Sequence, residues 1–507
     1  MMKKNFLHKL FGTNPADKEG MQPREALSYS VAGLGQNLIC GLVGSYISYY
    51  FTNGLLLAPT TVGIIMLIVR VFDATNDPIM GSIIDRTHTK YGKCRPFLLW
   101  MPIPIAISTV TLFLPLPART VATTWIMSVL YLIWSVLYTI VDVPYWGLAS
   151  SMTSDTNQRG TMLTVARLFC TAGGGIISIL VPNISGFWIK NFTDSSGSIL
   201  QGQEEAAAAA LRANYWWLAL VIVIIATPAF FIGFKYTKER YQDNNVRTLG
   251  QNIRLIFKNK PLMLIVLSGI LGSGKMLYMY SGLYFAQYNL TAMNVNFMGW
   301  QGTGLFTIIT LSVVPGGLIA SLLVPWCTRK WGKRNTFLYS HLIGAIVMFV
   351  MYFVGWKTTA GLVINLVGLV LLGIPQGFAN IITYAIIADS VDYLEWKEGV
   401  RAEGICFAMQ TFINKIGMAI GAAFTCFGLG WAGINAADAT TFAMETNPKG
   451  LDTLFLVSVL IPAISMLLSV IPLFFYNFTE KKQAEAVAEV NARKAAEAET
   501  AAAAENP

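Results

Sequence analysis

Charge is what this chain has least of. Only 12% of its 507 residues are Asp, Glu, Lys or Arg, about half of the roughly 25% usual in a soluble domain. Histidine is rarer still: His8, His88 and His341 are far apart and at or near loops, so they offer no nucleophile–base pairing for an intramembrane enzyme. The six cysteines (Cys40, Cys94, Cys170, Cys327, Cys406 and Cys426) form no CxxC pair and have no histidine at ligand spacing. That argues against a zinc site or a disulfide framework and leaves them as small packing residues. The first 25 residues are polar and basic, with no apolar stretch leading to a small-residue cleavage site, so no secretory signal is expected. Neither a repeated pore element nor a ring of acids, as a cation channel needs, is visible.

Apolar sequence is what the chain has in excess. Hydrophobic residues make up 54% of it, and the mean hydropathy is +0.54. Twelve apolar runs lie near 27–51, 60–84, 97–115, 122–150, 161–185, 214–236, 261–287, 302–326, 336–355, 361–388, 404–432 and 452–477. Runs of about 20 such residues cross a ~30 Å hydrocarbon core as helices. They are uniformly apolar and too long for barrel strands. The expected fold class is an all-α polytopic membrane protein with twelve transmembrane helices.

The few charges are unevenly shared. If both termini and the even-numbered connections face one side, that side holds 27 of the 36 Lys and Arg, whereas the opposite loops hold only Arg119, Lys190, Arg212, Lys357 and Lys449. By the positive-inside rule both termini are expected in the cytoplasm. The net charge of +9 is then a topology signal and a partner for anionic lipid headgroups, with no nucleic acid required. The longest basic connection divides the chain into a cytoplasmic segment 1–25, a six-helix half 26–236, a middle loop 237–260, a second six-helix half 261–478 and a cytoplasmic Ala/Glu-rich tail 479–507. "GSIIDRTHTKYGKCRP" after the second run is echoed by "ASLLVPWCTRKWGKRN" after the eighth. Two parallel six-helix repeats outline a major-facilitator fold. The tail lacks an apolar stripe and reads as a solvated, partly helical extension, and "EEAAAAALRAN" at 204–214 reads as an extracellular helical lead-in to the sixth crossing.

Ionisable residues inside the apolar runs carry the functional argument. In "RVFDATNDPIMGSIID", Asp73, Asn76 and Asp77 share one helical face, with Arg70 a turn earlier. An ionised Asp facing lipid at mid-bilayer would cost at least ~2.5–3.5 kcal/mol, so the carboxylates must face a cavity with a cation or proton partner. An Arg70 ion pair accounts for only one of them. Two carboxylates and an amide oxygen suit a small monovalent cation or a shared proton. In "LYTIVDVPYWG", Thr139, Asp142 and Trp146 also share a face; a carboxylate can take hydroxyl pairs while an indole covers a pyranose ring. Trp146 alone could equally be an interfacial belt residue. Arg167 and Lys415 are cations inside apolar runs, for which snorkelling is the plain alternative, more so for Arg167. Lys275 follows Gly272 and Gly274 in "LGSGKMLYMY"; the glycines mark either an interrupted helix or close packing.

Three stretches, "VRVFDATNDPIMGSIIDRTHTKYGKCRPFLLW", "YTIVDVPYWGLASSMTSDTNQRG" and "ADSVDYLEWKEGVRAEGICFAMQTFINKIG", resemble the glycoside–pentoside–hexuronide cation symporters, the melibiose-permease-like branch of the major facilitator superfamily, from about Ala26 to Phe478. The resemblance implies a cation site of Asp73, Asn76, Asp77 and Thr139, serving Na+, Li+ or H+. It implies a sugar site of Asp142, Trp146 and Arg167, joined by Thr411 and Lys415. Asn37, after Gln36, stands where melibiose-type members have a sugar-binding Asp after a Lys, so the hydroxyl pattern read there should differ. Some glucuronide and xyloside carriers have Asn where this chain keeps Asp142, which leans the expectation toward galactoside-like sugars.

The expected function is import of a glycoside by symport with Na+ or H+, without cofactor, through alternating access, by a monomer in the cell membrane. The cytoplasmic charges Asp85, Arg86, Arg95 and Arg401 are expected to form an inner gate. The alternative is a sodium-coupled carrier of lysolipids or other amphiphiles.

Overall fold

The computed structural model describes residues 11, 13, 20–87, 89–153, 156–193, 199–240, 249–297, 300–400, 403–434 and 447–505. These residues form helices and connecting turns, with no β-strand among them. The helices are α1 (Pro23–Tyr49), α2 (Pro59–Arg86), α3 (Arg95–Trp100), α4 (Pro102–Thr111), α5 (Val121–Met152), α6 (Thr156–Ile189) and α7 (Glu204–Tyr236). They continue as α8 (Leu249–Lys258), α9 (Lys260–Leu271), α10 (Leu277–Phe285), α11 (Phe306–Val354), α12 (Thr359–Glu398), α13 (Glu403–Trp431), α14 (Pro448–Phe474) and α15 (Glu480–Glu505).

Among the described residues nine helical stretches are long and apolar enough to cross a membrane. One of them, Gly302–Val354, covers the eighth and ninth crossings, because α11 runs on through Gly332, whose φ of 78° breaks the helix. The second crossing is α2, which is less apolar because of its Arg70 and Asp residues. The third is split into α3 and α4, each opened by a proline near its start. Twelve crossings result. The expected lead-in at 204–214 is the first part of α7 and is continuous with the sixth crossing.

By its contacts the chain divides into two compact units, Met1–Arg247 with Leu283–Thr307 and Cys426–Leu451, and Thr248–Gly282 with Ile308–Thr425 and Asp452–Pro507. In the first unit α1 packs on α6 and α7, and α2 packs on α5. Glycine makes the α1–α6 contact close: a Cβ on Gly173 would stand 2.8 Å from the Leu34 carbonyl oxygen. The Tyr29 and Tyr145 rings stack at 4.6 Å and fix α5 against α1.

In the second unit the seventh crossing is interrupted. Between α9 and α10, Gly272–Met276 tightens into a 3₁₀ turn. Ser465 of α14 closes the gap this leaves, since its hydroxyl donates to the Leu271 carbonyl at 2.5 Å and accepts the Gly274 N–H at 2.9 Å. Backbone groups freed in a membrane helix need such a partner. Both readings of the glycines therefore hold, interruption and close packing together. Gly274→Ala would bring a Cβ to 2.4 Å from that of Ser465, whereas a Cβ at Gly81 meets nothing within 4 Å. Overpacking of this kind costs about 1–3 kcal/mol. Thermal unfolding of the purified protein should accordingly show Gly274→Ala melting several degrees lower and Gly81→Ala unchanged; equal melting points would contradict the packing described.

The two echoed loops close in the same manner. Gly92, with φ 108°, leads into the backbone N–H groups of Lys93, Cys94 and Arg95, all bonded to the Glu239 carboxylate at 2.7–2.9 Å. Gly332 leads into Lys333, whose N–H reaches Glu480 at 2.6 Å. Each glutamate follows the last crossing of its half. The tail differs from its expected solvated state: α15 buries Ala486 and Val490, and Gln483 donates to Asp392 at 2.8 Å. The Trp396 indole N–H bonds Glu489 at 2.6 Å. That bond, and then Arg493, hold the exposed Glu489 carboxyl below its usual range.

Candidate functional site

Helix α5 carries the centre of the site. Thr139 lies fully buried and donates its hydroxyl to Asp73 Oδ1 of α2 at 2.6 Å. Asp73 is itself 1% exposed, and Arg70 Nη1 stands 3.8 Å from its other oxygen. The Arg70 guanidinium also lies 5.8 Å from the Tyr131 ring. Asn76 and Asp77, on the same face of α2, are half-buried. Thr139 is thus bonded to an acid of α2, whereas helical spacing alone grouped it with Asp142 and Trp146. Two carboxylates, an amide and a hydroxyl are a hard-oxygen set of the kind a monovalent cation takes.

One turn further along α5, Asp142 Oδ1 accepts the Trp146 indole N–H at 3.0 Å and an amide hydrogen from Gln36 of α1. Gln36 is 1% exposed, also donates to Tyr138 Oη at 3.3 Å, and has a buried Oε1 with no hydrogen-bond partner. The Arg167 guanidinium of α6 lies 5.2 Å from the Trp146 ring, within cation–π range. Pro144 lies between Asp142 and Trp146 inside the helix and lacks the N–H that would bond one turn back.

Asn37, placed in the sugar set by the resemblance, donates its amide to the Gly33 carbonyl of its own helix at 3.1 Å. The α1 residue bonded to Asp142 is Gln36, which the sequence reading noted only as Asn37's neighbour. Its signal was present: a glutamine in an apolar helix needs buried hydrogen-bond partners. Gln36→Ala should weaken sugar binding about tenfold, as loss of one bond to a charged group predicts, and Asn37→Ala by less than about threefold. Equilibrium sugar binding to the two variants checks this; the reverse order would return the role to Asn37.

Thr411 and Lys415 lie on α13 in the second unit, Thr411 half-buried and Lys415 6% exposed. Of the expected gate, Arg95 serves its own unit: its guanidinium donates to the Tyr91 and Phe234 carbonyls at 3.3 and 2.8 Å. Arg86 is exposed. The Asp85 side chain and Arg401 lie outside the described residues. An ion pair that sequence reasoning did not anticipate, Lys333 with Asp389, joins α11 to α12 at 2.6 Å.

The profile of the family described as MFS/sugar transport protein matches residues 28–480. The chain belongs to that family. It is a multi-pass membrane carrier of sugars and not an enzyme. The family assignment agrees with the resemblance to glycoside–pentoside–hexuronide symporters. The chain is 29% identical over 479 residues to the isoprimeverose transporter of Lactiplantibacillus pentosus, covering 93% of this chain and 92% of that one. It is also 29% identical to the glucuronide carrier protein homolog of Escherichia coli K12, covering 93% and 96%. The crystal structure of the nucleoside transporter NupG superposes with a TM-score of 0.60 at 15% identity, over 89% of this chain and all of that one, which establishes the shared fold.

Proposed function

We propose that this carrier imports a glycoside by symport with Na+ or H+, the cation held by Asp73, Asn76, Asp77 and Thr139 and the sugar by Asp142, Trp146, Arg167 and Gln36; the resemblance adds Thr411 and Lys415 to the sugar set. The observation that carries the proposal is the sharing of α5. Thr139 is bonded to the acid of one set, and Asp142, three residues on, is the acid of the other. Residues three apart on a helix are neighbours, so occupancy of one set bears directly on the other. The relatives named for isoprimeverose and glucuronide transport support a glycoside as cargo.

Without a cation, closing the carrier would desolvate net negative charge on α2. A bound cation offsets that charge and lets the two halves rock around the sugar. In this reading both termini are cytoplasmic, supported by the skew of Lys and Arg, and the monomer is the working unit. Uptake of a panel of labelled glycosides into vesicles, with imposed sodium or proton gradients, tests the proposal. Gradient-driven uptake of at least one glycoside is expected. No uptake under any gradient, or inhibition by lysolipids but not by sugars, would contradict it and favour the amphiphile alternative.

A further inference from the structure

The second unit contains a cation that the site above does not use. Lys275 is the central residue of the 31-residue span Lys260–Leu290 and is set at the 3₁₀ break that Ser465 stabilises. Its ammonium makes no hydrogen bond or ion pair among the described residues. The sequence offers it little prospect of one: no Asp or Glu occurs between Asp243 and Asp389, between Glu403 and Asp438, or between Asp452 and Glu480. An ammonium at mid-membrane depth without a counter-charge is unfavourable, and ionisable groups kept there mark binding sites.

Lys275 lines a cavity with Asn380, Thr383, Gln410, Asn414 and His341, which is buried inside α11 and not near a loop as the sequence suggested. Asn380 and Asn414 are exposed, so the cavity has an open side. Gln410 donates to Asn414 at 3.2 Å and keeps a buried, unbonded Oε1. The space accommodates roughly one or two water-sized groups. A carboxylate is of that size. Gln410 and Asn414 each immediately precede, on α13, the residues assigned to the sugar, Thr411 and Lys415.

We propose that Lys275 and this cavity take a carboxylate-sized anionic substituent of the cargo, so that the carrier favours anionic glycosides over neutral ones. The ammonium supplies the charge and the side-chain amides of Asn380 and Asn414 supply N–H donors, while the Thr383 hydroxyl is already spent on the Ala379 carbonyl at 2.6 Å. The inference rests on the reading of the chain as a glycoside carrier and names the class of glycoside.

The test is equilibrium binding of 4-nitrophenyl β-D-glucuronide and 4-nitrophenyl β-D-glucoside, which differ by the carboxylate, to the purified full-length protein. The wild type should bind the glucuronide at least tenfold more tightly, in line with a charge-assisted bond. Lys275→Gln should remove that preference while leaving glucoside binding within about threefold, and Lys275→Arg should keep it. A merely structural role for Lys275 would weaken both ligands together and would overturn the proposal. So would a wild type that binds the two alike, or binds neither. Binding needs no imposed gradient, so a preference for the glucuronide without coupled uptake would overturn symport and leave this inference standing. Coupled uptake of the glucoside with no preference would do the opposite.

Discussion

Replacing Asp73 by asparagine is expected to abolish concentrative sugar uptake while leaving the protein in the membrane. Asparagine has nearly the same shape and can still accept the Thr139 hydroxyl, so the α2–α5 contact at 2.6 Å survives. What is lost is the negative charge on a fully buried group. The cation set then has one carboxylate, and Arg70 loses the oxygen 3.8 Å away. One positive charge moved inward gains about 2.3 kcal/mol per 100 mV, which corresponds to roughly fifty-fold accumulation. The wild type should approach that ratio in vesicles with an imposed potential of this size. The variant should fall to equal concentrations on both sides, with downhill movement of sugar retained. Accumulation by Asp73→Asn close to wild type would remove Asp73 from the coupling machinery.

Asp142→Asn is expected to cost the sugar site at least about a hundred-fold in affinity. A carboxylate that takes a pair of sugar hydroxyls makes charge-assisted hydrogen bonds worth about 1.5–3 kcal/mol each. The asparagine keeps one oxygen for the Gln36 and Trp146 donors but puts an N–H donor in place of the other acceptor on which the sugar hydroxyls depend. Cation binding measured without sugar should stay within about threefold, because Asp142 is not in the α2 set, and linkage acts only when both ligands are present. Isothermal titration with each ligand separately checks this. Loss of cation binding in Asp142→Asn would merge the two sites into one.

Much of this arrangement was legible in the sequence. Unpaired acids are so unfavourable in lipid that Asp73, Asp77 and Asp142 had to face protein, and helical spacing was enough to group them with Asn76 and with Trp146. Spacing could not divide Thr139 from Asp142. They share a face, and only the approach of α2 to one and α1 to the other separates their roles. The choice between Gln36 and Asn37 was hidden for a related reason: adjacent residues on a helix point about 100° apart, so the partner helix decides which of them matters. The docking of the tail was hidden by size, since Ala486 and Val490, four residues apart, are too small to register as an apolar stripe. The helix break at Lys275 was ambiguous because glycine serves both interruption and close contact, and Ser465, nearly 200 positions away, resolves the two into one device. With Lys275 included, the proposed cargo narrows to glycosides bearing an acidic group.

The central claim is that the cation and sugar sets are coupled through α5. It is tested most directly by measuring sugar affinity with and without the coupling cation, and cation affinity with and without sugar, on the same preparation. The account predicts that each ligand tightens the other by one and the same factor, and that Thr139→Ala lowers this factor toward one. Sugar affinity indifferent to both sodium and pH in the wild type would contradict it.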